Sequence, residues 1–593
     1  MKQRVADFIA EYLADNGVNQ IFSVVGGMAM HLNNAFATND RLHVLYNHHE
    51  QACAIAAESY SRVENKIAAV CVTSGPGGTN ALTGILCAYQ DGLPLIALSG
   101  QVRSDITIES TGLDLRQFGE QEYTIVKSVA PMTKYAVMVT DAALIKYHLG
   151  KALHLAQTGR RGPCWIDIPL DIQGKMIDTE NLMEYIPEKT DVIDKSIIDK
   201  IISELQKAQR PVIVAGSAIR ASGAMEMFYA LAEKLKLPVI CPTSTVDIMS
   251  PADELYYGMF GVFGGRAGNF IIQNADLIVS LGARLSFKQI GFNYKDFSPS
   301  SKKIVIDIDP EELKKPTVKI DVPVCADVKD VITALLERDF SCGLELKLKW
   351  LAYCNFLKSR FANQYDFESE PISAYHFADQ FWKKAEKNTL VVIGNNCAAI
   401  SLLQTGIRFR GQRLYGNVNC GTMGYDLPAA IGAAIACKRE VFCITGEGSF
   451  QMNLQELQTI VHNNLPVKII IFNNNSYQAI VMSQANFFKG AFAGCNNSSG
   501  ISFPSFAKLA DTYDFPFKSI NRSDEICAAI DWMAGIKGRA ILELVQTESD
   551  PIEPKLSSRR LSDGKMESPP IDDMFPFLSS EEYKECAFKE FVK

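Results

Sequence analysis

Two apolar runs, residues 441–445 and 467–472, each break off at glycine or amide residues, and helical periodicity over 454–463 joins them. Strand, helix and strand in that order make a βαβ unit with parallel strands and a right-handed crossover. Gly446-Glu447-Gly448-Ser449-Phe450 follows the first strand. Phe472-Asn473-Asn474-Asn475 closes the second, with Asn474 lying 27 residues after Glu447. Both polar clusters therefore emerge at the carboxyl ends of parallel strands, the edge where open α/β sheets bind ligands. Glycines there let the backbone turn tightly and present N–H groups at a helix start, which suits phosphate oxygens. A carboxylate with an amide oxygen is the hard donor set that Mg²⁺ takes, with substrate phosphates completing its shell.

The same alternation runs through the rest of the chain. In a first block, 67–73 is expected as a strand, 74–78 as a glycine-rich turn, 79–90 as a helix and 95–99 as the next strand. That block closes near Trp165-Ile166-Asp167-Ile168-Pro169. A second block opens at Pro211-Val212-Ile213-Val214-Ala215-Gly216-Ser217, continues through 237–241, 277–281 and 304–309, and fades near Phe340. A third block, with strands at 390–394, 441–445 and 467–472, repeats the logic of the first. The expected fold is α/β, with three doubly wound parallel-sheet domains over 1–171, 190–340 and 371–550. A helical linker is expected over 342–370, and an extended arm over 551–593 with aromatic anchors at Phe575 and Phe577.

Composition narrows the function classes. The length of 593 residues, 47% of them hydrophobic, supports several full-sized cores. A net charge of −8 without single-sign runs offers neither a basic stripe for nucleic acid nor a polybasic membrane patch. Met1-Lys2-Gln3-Arg4 leads directly into an amphipathic pattern, and no apolar run spans a bilayer, so a cytoplasmic location is expected. The 15 cysteines include no CxxC pair and are expected to be reduced. The eight histidines lack metal-ligand spacing.

Gly446–Phe450 with Asn473-Asn474 resembles the diphosphate-binding motif of thiamine diphosphate enzymes. That resemblance implies a diphosphate site at Gly446, Gly448, Ser449, Asn474 and Tyr477, with Mg²⁺ on Glu447, the Asn474 side chain and the Ser476 main-chain oxygen. The family usually has aspartate where Glu447 stands. Glu50 in Tyr46-Asn47-His48-His49-Glu50-Gln51 resembles the family's glutamate, which hydrogen-bonds the aminopyrimidine N1′ and so activates the cofactor. Thr73-Ser74-Gly75-Pro76-Gly77-Gly78-Thr79-Asn80 resembles the acetohydroxyacid (acetolactate) synthase branch, and implies cofactor contacts for Thr73, Pro76 and Asn80. In Gly421-Thr422-Met423-Gly424-Tyr425, Met423 corresponds to the apolar side chain that bends the cofactor, with Gly421 beside it. Gly26-Gly27 resemble a turn near the thiazolium, where Gly27 would stabilise charge on the substrate oxygen, and Gln121 would hydrogen-bond the substrate. In this family the two halves of each site come from different chains, which implies a homodimer or homotetramer with active sites at the chain interface.

The middle block follows the same branch's pattern for FAD, through Arg160, Gly216, Ser217, Thr243, Gly264, Gly282, Arg284, Asp307 and Asp327. Relatives without flavin share that domain. Phe263 and Lys288 stand where histidine and arginine are common.

Four departures cluster where the family handles its second substrate. Glu120-Gln121 replaces Phe-Gln, Leu170 replaces a lysine, Ser483 aligns with the tryptophan walling the acceptor pocket, and Ala479 aligns with a methionine. Serine for tryptophan removes a wall of about 200 Å². The expectation is a carboligase that decarboxylates pyruvate or a related 2-keto acid and passes the fragment to a larger carbonyl acceptor, such as a keto sugar. Residues 554–578 resemble the tails of synthase-like proteins from polysaccharide pathways. Three alternatives stand beside it. One is housekeeping acetolactate synthesis, with Phe487 or Phe488 restoring the wall; the others are a flavin oxidoreductase of the pyruvate oxidase kind and a non-catalytic relative.

Overall fold

Strands buried along their whole length belong inside sheets covered on both faces. Ala68–Val72, Leu277–Leu281 and Val467–Asn473 have no exposed residue. The computed structural model, which describes residues 2–188, 193–362, 372–488, 490–546, 551–560 and 565–592, arranges such strands in three six-stranded sheets. The expected domain limits at 190, 371 and 550 lie outside the described residues.

The first sheet contains β1 (Gln20–Ser23), β2 (His43–Tyr46), β3 (Ala68–Val72), β4 (Leu95–Gln101), β5 (Tyr135–Met138) and β6 (Pro163–Pro169). The second contains β7 (Pro211–Ala215), β8 (Val239–Pro242), β9 (Tyr256–Phe260), β10 (Leu277–Leu281), β11 (Lys302–Asp307) and β12 (Val322–Cys325). The third contains β13 (Leu390–Ile393), β14 (Arg413–Tyr415), β15 (Val441–Gly446), β16 (Val467–Asn473), β17 (Phe517–Ile520) and β18 (Ala540–Val545).

All pairings within these sheets are parallel. The first sheet runs β2-β1-β3-β4-β6-β5, and the third runs β14-β13-β15-β16-β18-β17, the same order. The middle sheet runs β9-β8-β7-β10-β11-β12, the strand order of dinucleotide-binding folds. The α/β reading thus holds, with two like outer sheets around a different middle one.

The outer units share a core. Helix Glu50–Glu64 packs on helix Asp426–Cys437, and a Cβ on Gly432 would sit 2.0 Å from the Ala56 carbonyl oxygen. Glycine there sets how closely the helices approach.

Three local expectations change. The helix after β3 begins at Pro76 rather than at residue 79, because Pro76 occupies its first turn and Gly75 turns the chain at φ +60°. The segment read as a helical linker does carry a helix, Leu344–Arg360, but its Trp350, Tyr353, Cys354 and Leu357 are buried in the core of the middle unit. The C-terminal arm, read as extended and lying on the body, is bonded to that unit, with the Leu556 N–H donating to the Val262 carbonyl at 2.8 Å and the Tyr353 hydroxyl to the Cys586 carbonyl at 2.6 Å, but it is not extended throughout. Its last part forms short helices Ser580–Glu585 and Phe588–Phe591. Among the described residues, no helix is long and apolar enough to cross a membrane.

Candidate active site

β15 and β16 lie side by side, with Gly446 opposite Phe472, so the residues following each strand meet at one edge. Helix Glu447–Met452 starts there. Oε1 of Glu447 accepts from the Asn474 N–H at 3.1 Å and the Ser476 N–H at 2.8 Å. Oδ1 of Asn474 accepts from the Ser476 hydroxyl at 2.7 Å. Burial pushes the Glu447 carboxyl up to about 7, against the bonds from Ser476 and Asn474 that lower it. A buried carboxylate flanked by amide and hydroxyl oxygens fits a hard divalent cation, which would relieve the cost of its charge.

The neighbouring loop fits phosphate. Asn396 caps helix Cys397–Thr405 through its side-chain oxygen, while its Nδ2 is buried with no hydrogen-bond partner among the described residues. That orphaned donor would lie 3.1 Å from a Cβ on Gly446. A side chain at Gly448 would collide with the Tyr477 ring, 2.2 Å away. The Ser449 hydroxyl accepts from the Gly424 N–H at 2.8 Å, which ties the Gly421–Tyr425 segment to this loop. Met423 lies half-buried in the turn ahead of helix Asp426–Cys437. Its turn is held further by the Asn395 side chain, which donates to the Gly421 carbonyl at 2.9 Å.

The residues expected from the first block gather at the carboxyl edge of the first sheet. Asn80 donates to Oε2 of Glu50 at 3.0 Å, and Thr73 Oγ1 accepts from the Met28 N–H at 3.2 Å. A Cβ on Gly26 would lie 2.4 Å from Cβ of Thr73, whereas one on Gly27 would meet nothing within 4 Å. Gln121 is exposed with φ +58°, and a Cβ on Gly75 would strike its carbonyl oxygen at 2.5 Å. A non-glycine residue in the left-handed region marks strain of the kind that concentrates at functional sites. Pro76 opens the helix carrying Asn80.

Three residues of this region carry no motif that sequence reading detected. Glu456, fully buried, accepts from the Asn47 side chain at 2.8 Å and the His48 N–H at 3.0 Å, bracing the segment that leads to Glu50. Asn396 is the second. Gly100 is the third, since a Cβ there would overlap the Met28 carbonyl oxygen at 2.0 Å.

In the middle unit, Gly216, Ser217, Thr243, Gly282, Arg284 and Asp307 lie at or just beyond the carboxyl ends of β7, β8, β10 and β11. Several also have partners of their own. Gly216 and Gly282 are pressed together, a Cβ on the first lying 2.1 Å from the carbonyl oxygen of the second. Gly264 turns back against the Phe260 backbone. Asp327 caps helix Val328–Glu337, and Asp307 accepts from the Asp309 N–H at 3.0 Å. Arg160 and Arg284 converge on Glu312 at 2.6 and 2.8 Å.

The departures also have places. Ser483 and Ala479 stand exposed one turn apart on helix Gln478–Phe488, among whose residues none is buried. Phe487 follows one turn later, 67% exposed. Glu120 is exposed beside Gln121, and Leu170 opens the short helix after β6.

Comparison with known proteins matches residues 3–118 to the N-terminal TPP binding domain of thiamine pyrophosphate enzymes, 198–335 to their central domain and 393–544 to their C-terminal TPP binding domain. The probable acetolactate synthase large subunit of Methanocaldococcus jannaschii is 34% identical over 540 residues, 88% of each chain. Acetolactate synthase isozyme 3 large subunit of Escherichia coli is 30% identical over 524 residues, 86% of this chain and 88% of its own. The acetolactate synthase large subunit of Corynebacterium glutamicum is 29% identical over 568 residues, 93% of this chain and 88% of its own.

Proposed function

The chain belongs to the thiamine pyrophosphate enzyme family, as a member of its acetolactate synthase-like branch, and from that premise we propose a carboligase that takes pyruvate as donor and a larger carbonyl compound, such as a keto sugar, as acceptor. The observation carrying the reading is the buried Glu447 carboxylate, bonded by Asn474 and Ser476 at the joined ends of β15 and β16.

In this reading Glu447, Asn474 and Ser476 hold Mg²⁺, while Gly446, Gly448, Ser449 and the free amide of Asn396 receive the diphosphate. Bound thiamine diphosphate supplies the nucleophilic carbon and the electron sink that decarboxylation requires. Glu50, steadied by Asn80, holds the activating proton at the aminopyrimidine. Met423, in the turn ahead of helix Asp426–Cys437, would support the cofactor. The Gly27 N–H and the Gln121 amide orient the substrate oxygen and carboxylate. Two protomers complete each site, with Glu50 from one facing Glu447 of the other.

The acceptor reading rests on Ser483 and Ala479, two small exposed side chains one turn apart, and on Glu120, whose exposed carboxylate is open to the hydroxyl groups of a sugar. A second reading, acetolactate formation from two pyruvates, is favoured by Phe487, which stands on the same helix one turn beyond Ser483. FAD is proposed at the carboxyl edge of the middle sheet, on the strength of its strand order and of the residues gathered there. Flavin absorbance of the purified protein tests that point.

The deciding experiment follows CO₂ release and products by mass spectrometry, with pyruvate, thiamine diphosphate and Mg²⁺, with and without keto sugars. Keto-sugar-dependent CO₂ release that is lost in Glu50→Gln is expected. Equal rates with pyruvate alone would overturn the sugar acceptor. No CO₂ under any condition would overturn pyruvate as donor.

A further inference from the structure

We propose that Cys87 and Cys420 form a peroxide-responsive dithiol that sets the position of turn 421–423 and, through it, the affinity for thiamine diphosphate. The inference rests on the reading that Met423 supports the cofactor.

The geometry comes from two contacts that bracket Cys420. Asn419, just before it, donates to Asp91 Oδ1 at 2.5 Å. Thr422, two residues after it, has Oγ1 at 3.2 Å from the Cys87 sulfur. Asp91 and Cys87 lie one turn apart on helix Pro76–Asp91, so both contacts fall on one face of that helix. Cys420 is thereby held beside Cys87. Asn417 also reaches Asp91, at 3.3 Å, and Lys288 donates to the Val418 carbonyl.

The two sulfurs differ in the way such a pair requires. Cys87 is buried, whereas Cys420 is part-exposed, so a small oxidant reaches Cys420 first. The Cys420 thiol is lowered by its neighbour Cys87, with help from Thr422 and Lys288 and against burial and Asp91. The remaining charges near the pair are Glu58, which bears on Cys87, and Arg62, paired with both Glu58 and Asp91. A lowered thiol ionises more readily, and the thiolate is the reactive form. All 15 cysteines are free thiols, so the pair starts reduced.

The chemistry balances with a peroxide as oxidant. The Cys420 thiolate attacks one peroxide oxygen, the O–O bond breaks, and hydroxide leaves to be protonated to water. The resulting sulfenic acid is attacked by the Cys87 sulfur, which gives up its proton as a second hydroxide departs as water. Two electrons have passed from the sulfurs to the peroxide, and one S–S bond has formed. Its length of about 2.05 Å is shorter than any non-bonded approach of two sulfurs, so it draws Cys420 toward the helix. The Cys87–Thr422 contact is broken, and the pull acts on Gly421, whose carbonyl bonds Asn395 and whose φ is +66°.

The test treats the full-length protein with hydrogen peroxide, maps thiols by non-reducing peptide mass spectrometry, and titrates thiamine diphosphate with Mg²⁺ by intrinsic fluorescence. A Cys87–Cys420 crosslink reversed by dithiothreitol is expected, with affinity for thiamine diphosphate falling about tenfold on oxidation, the scale of one lost hydrogen-bonded contact. Cys420→Ser should bind the cofactor as the reduced wild type does and ignore peroxide. Free thiols after treatment, or sulfinic acid at Cys420 with Cys87 intact, would overturn the pair. A mapped crosslink with unchanged affinity would overturn the switch. Absence of thiamine diphosphate binding by the reduced protein would instead overturn the reading on which the inference rests.

Discussion

Glu456 accepts the Asn47 side-chain amide at 2.8 Å and the His48 N–H at 3.0 Å, so a buried carboxylate of the third unit fixes the segment that carries Glu50 in the first. The Thr459 hydroxyl also donates to it, at 2.7 Å. Its acceptors are therefore committed to three donors. Glu456→Gln turns one acceptor into a donor facing donors, and should cost about 1–3 kcal/mol of stability. Thermal unfolding measures that cost. Because the segment leads into Glu50, kcat should fall further than thiamine diphosphate affinity does. Equal losses in both would mean that Glu456 has only a structural role.

Glu447 gives a pH dependence with a definite sign. Its folded value of about 7 stands above the ordinary carboxylate range. Between that range and about 7 the native state holds a proton the unfolded chain has lost, so rising pH destabilises the metal-free protein across this window. Below the window both states are protonated, and above it the penalty is constant. Mg²⁺ must displace that proton, so its apparent affinity should weaken by up to about tenfold per pH unit below 7 and be flat above. Mg²⁺-dependent thiamine diphosphate binding across pH 5.5–8 checks this. Glu447→Gln should raise the melting temperature of the metal-free protein at pH 8 while abolishing the Mg²⁺ dependence.

Two glycines near the same turn separate structural from functional roles. Gly100→Ala drives a Cβ into the Met28 backbone, with contacts of 2.0 and 2.3 Å, and should cost about 1–3 kcal/mol while displacing the Gly26-Gly27 turn. Gly27→Ala adds a Cβ that meets nothing within 4 Å, so its melting temperature should match wild type. Loss of turnover in Gly27→Ala would then report ligand approach alone. Denaturant melts and turnover on both variants decide it.

These residues also show what the chain makes legible before folding. β15 and β16 are apolar runs that end at glycine and asparagine, so both strands and the polar edge between them follow from local pattern. Glu456 sits in helix Glu456–His462 and reads as an ordinary helical glutamate, because its burial comes from a segment some four hundred positions earlier. Gly100 lies inside a strand, where nothing local indicates that the 26–29 turn presses against it. Asn396 looks like a helix cap, which it is, and its idle amide is visible only once Gly446 lies beside it. Periodicity encodes elements, whereas second partners arise from topology.

Ser483→Trp tests the acceptor reading most directly. Ser483 is exposed, and among the described residues its hydroxyl bonds only the Ala479 carbonyl one turn back, at 2.9 Å, a bond the helix does not need. A tryptophan there fills open space rather than core, so stability should change by less than about 0.5 kcal/mol. The added wall should exclude a bulky acceptor and pack against pyruvate. Turnover with a keto sugar should therefore fall by at least about tenfold, and acetolactate formation from pyruvate alone should rise. Product ratios by mass spectrometry in competition between pyruvate and a keto sugar give the answer in one vessel. An unchanged ratio would mean that Phe487, one turn further along the same helix, already forms the wall, and the acceptor would then be pyruvate.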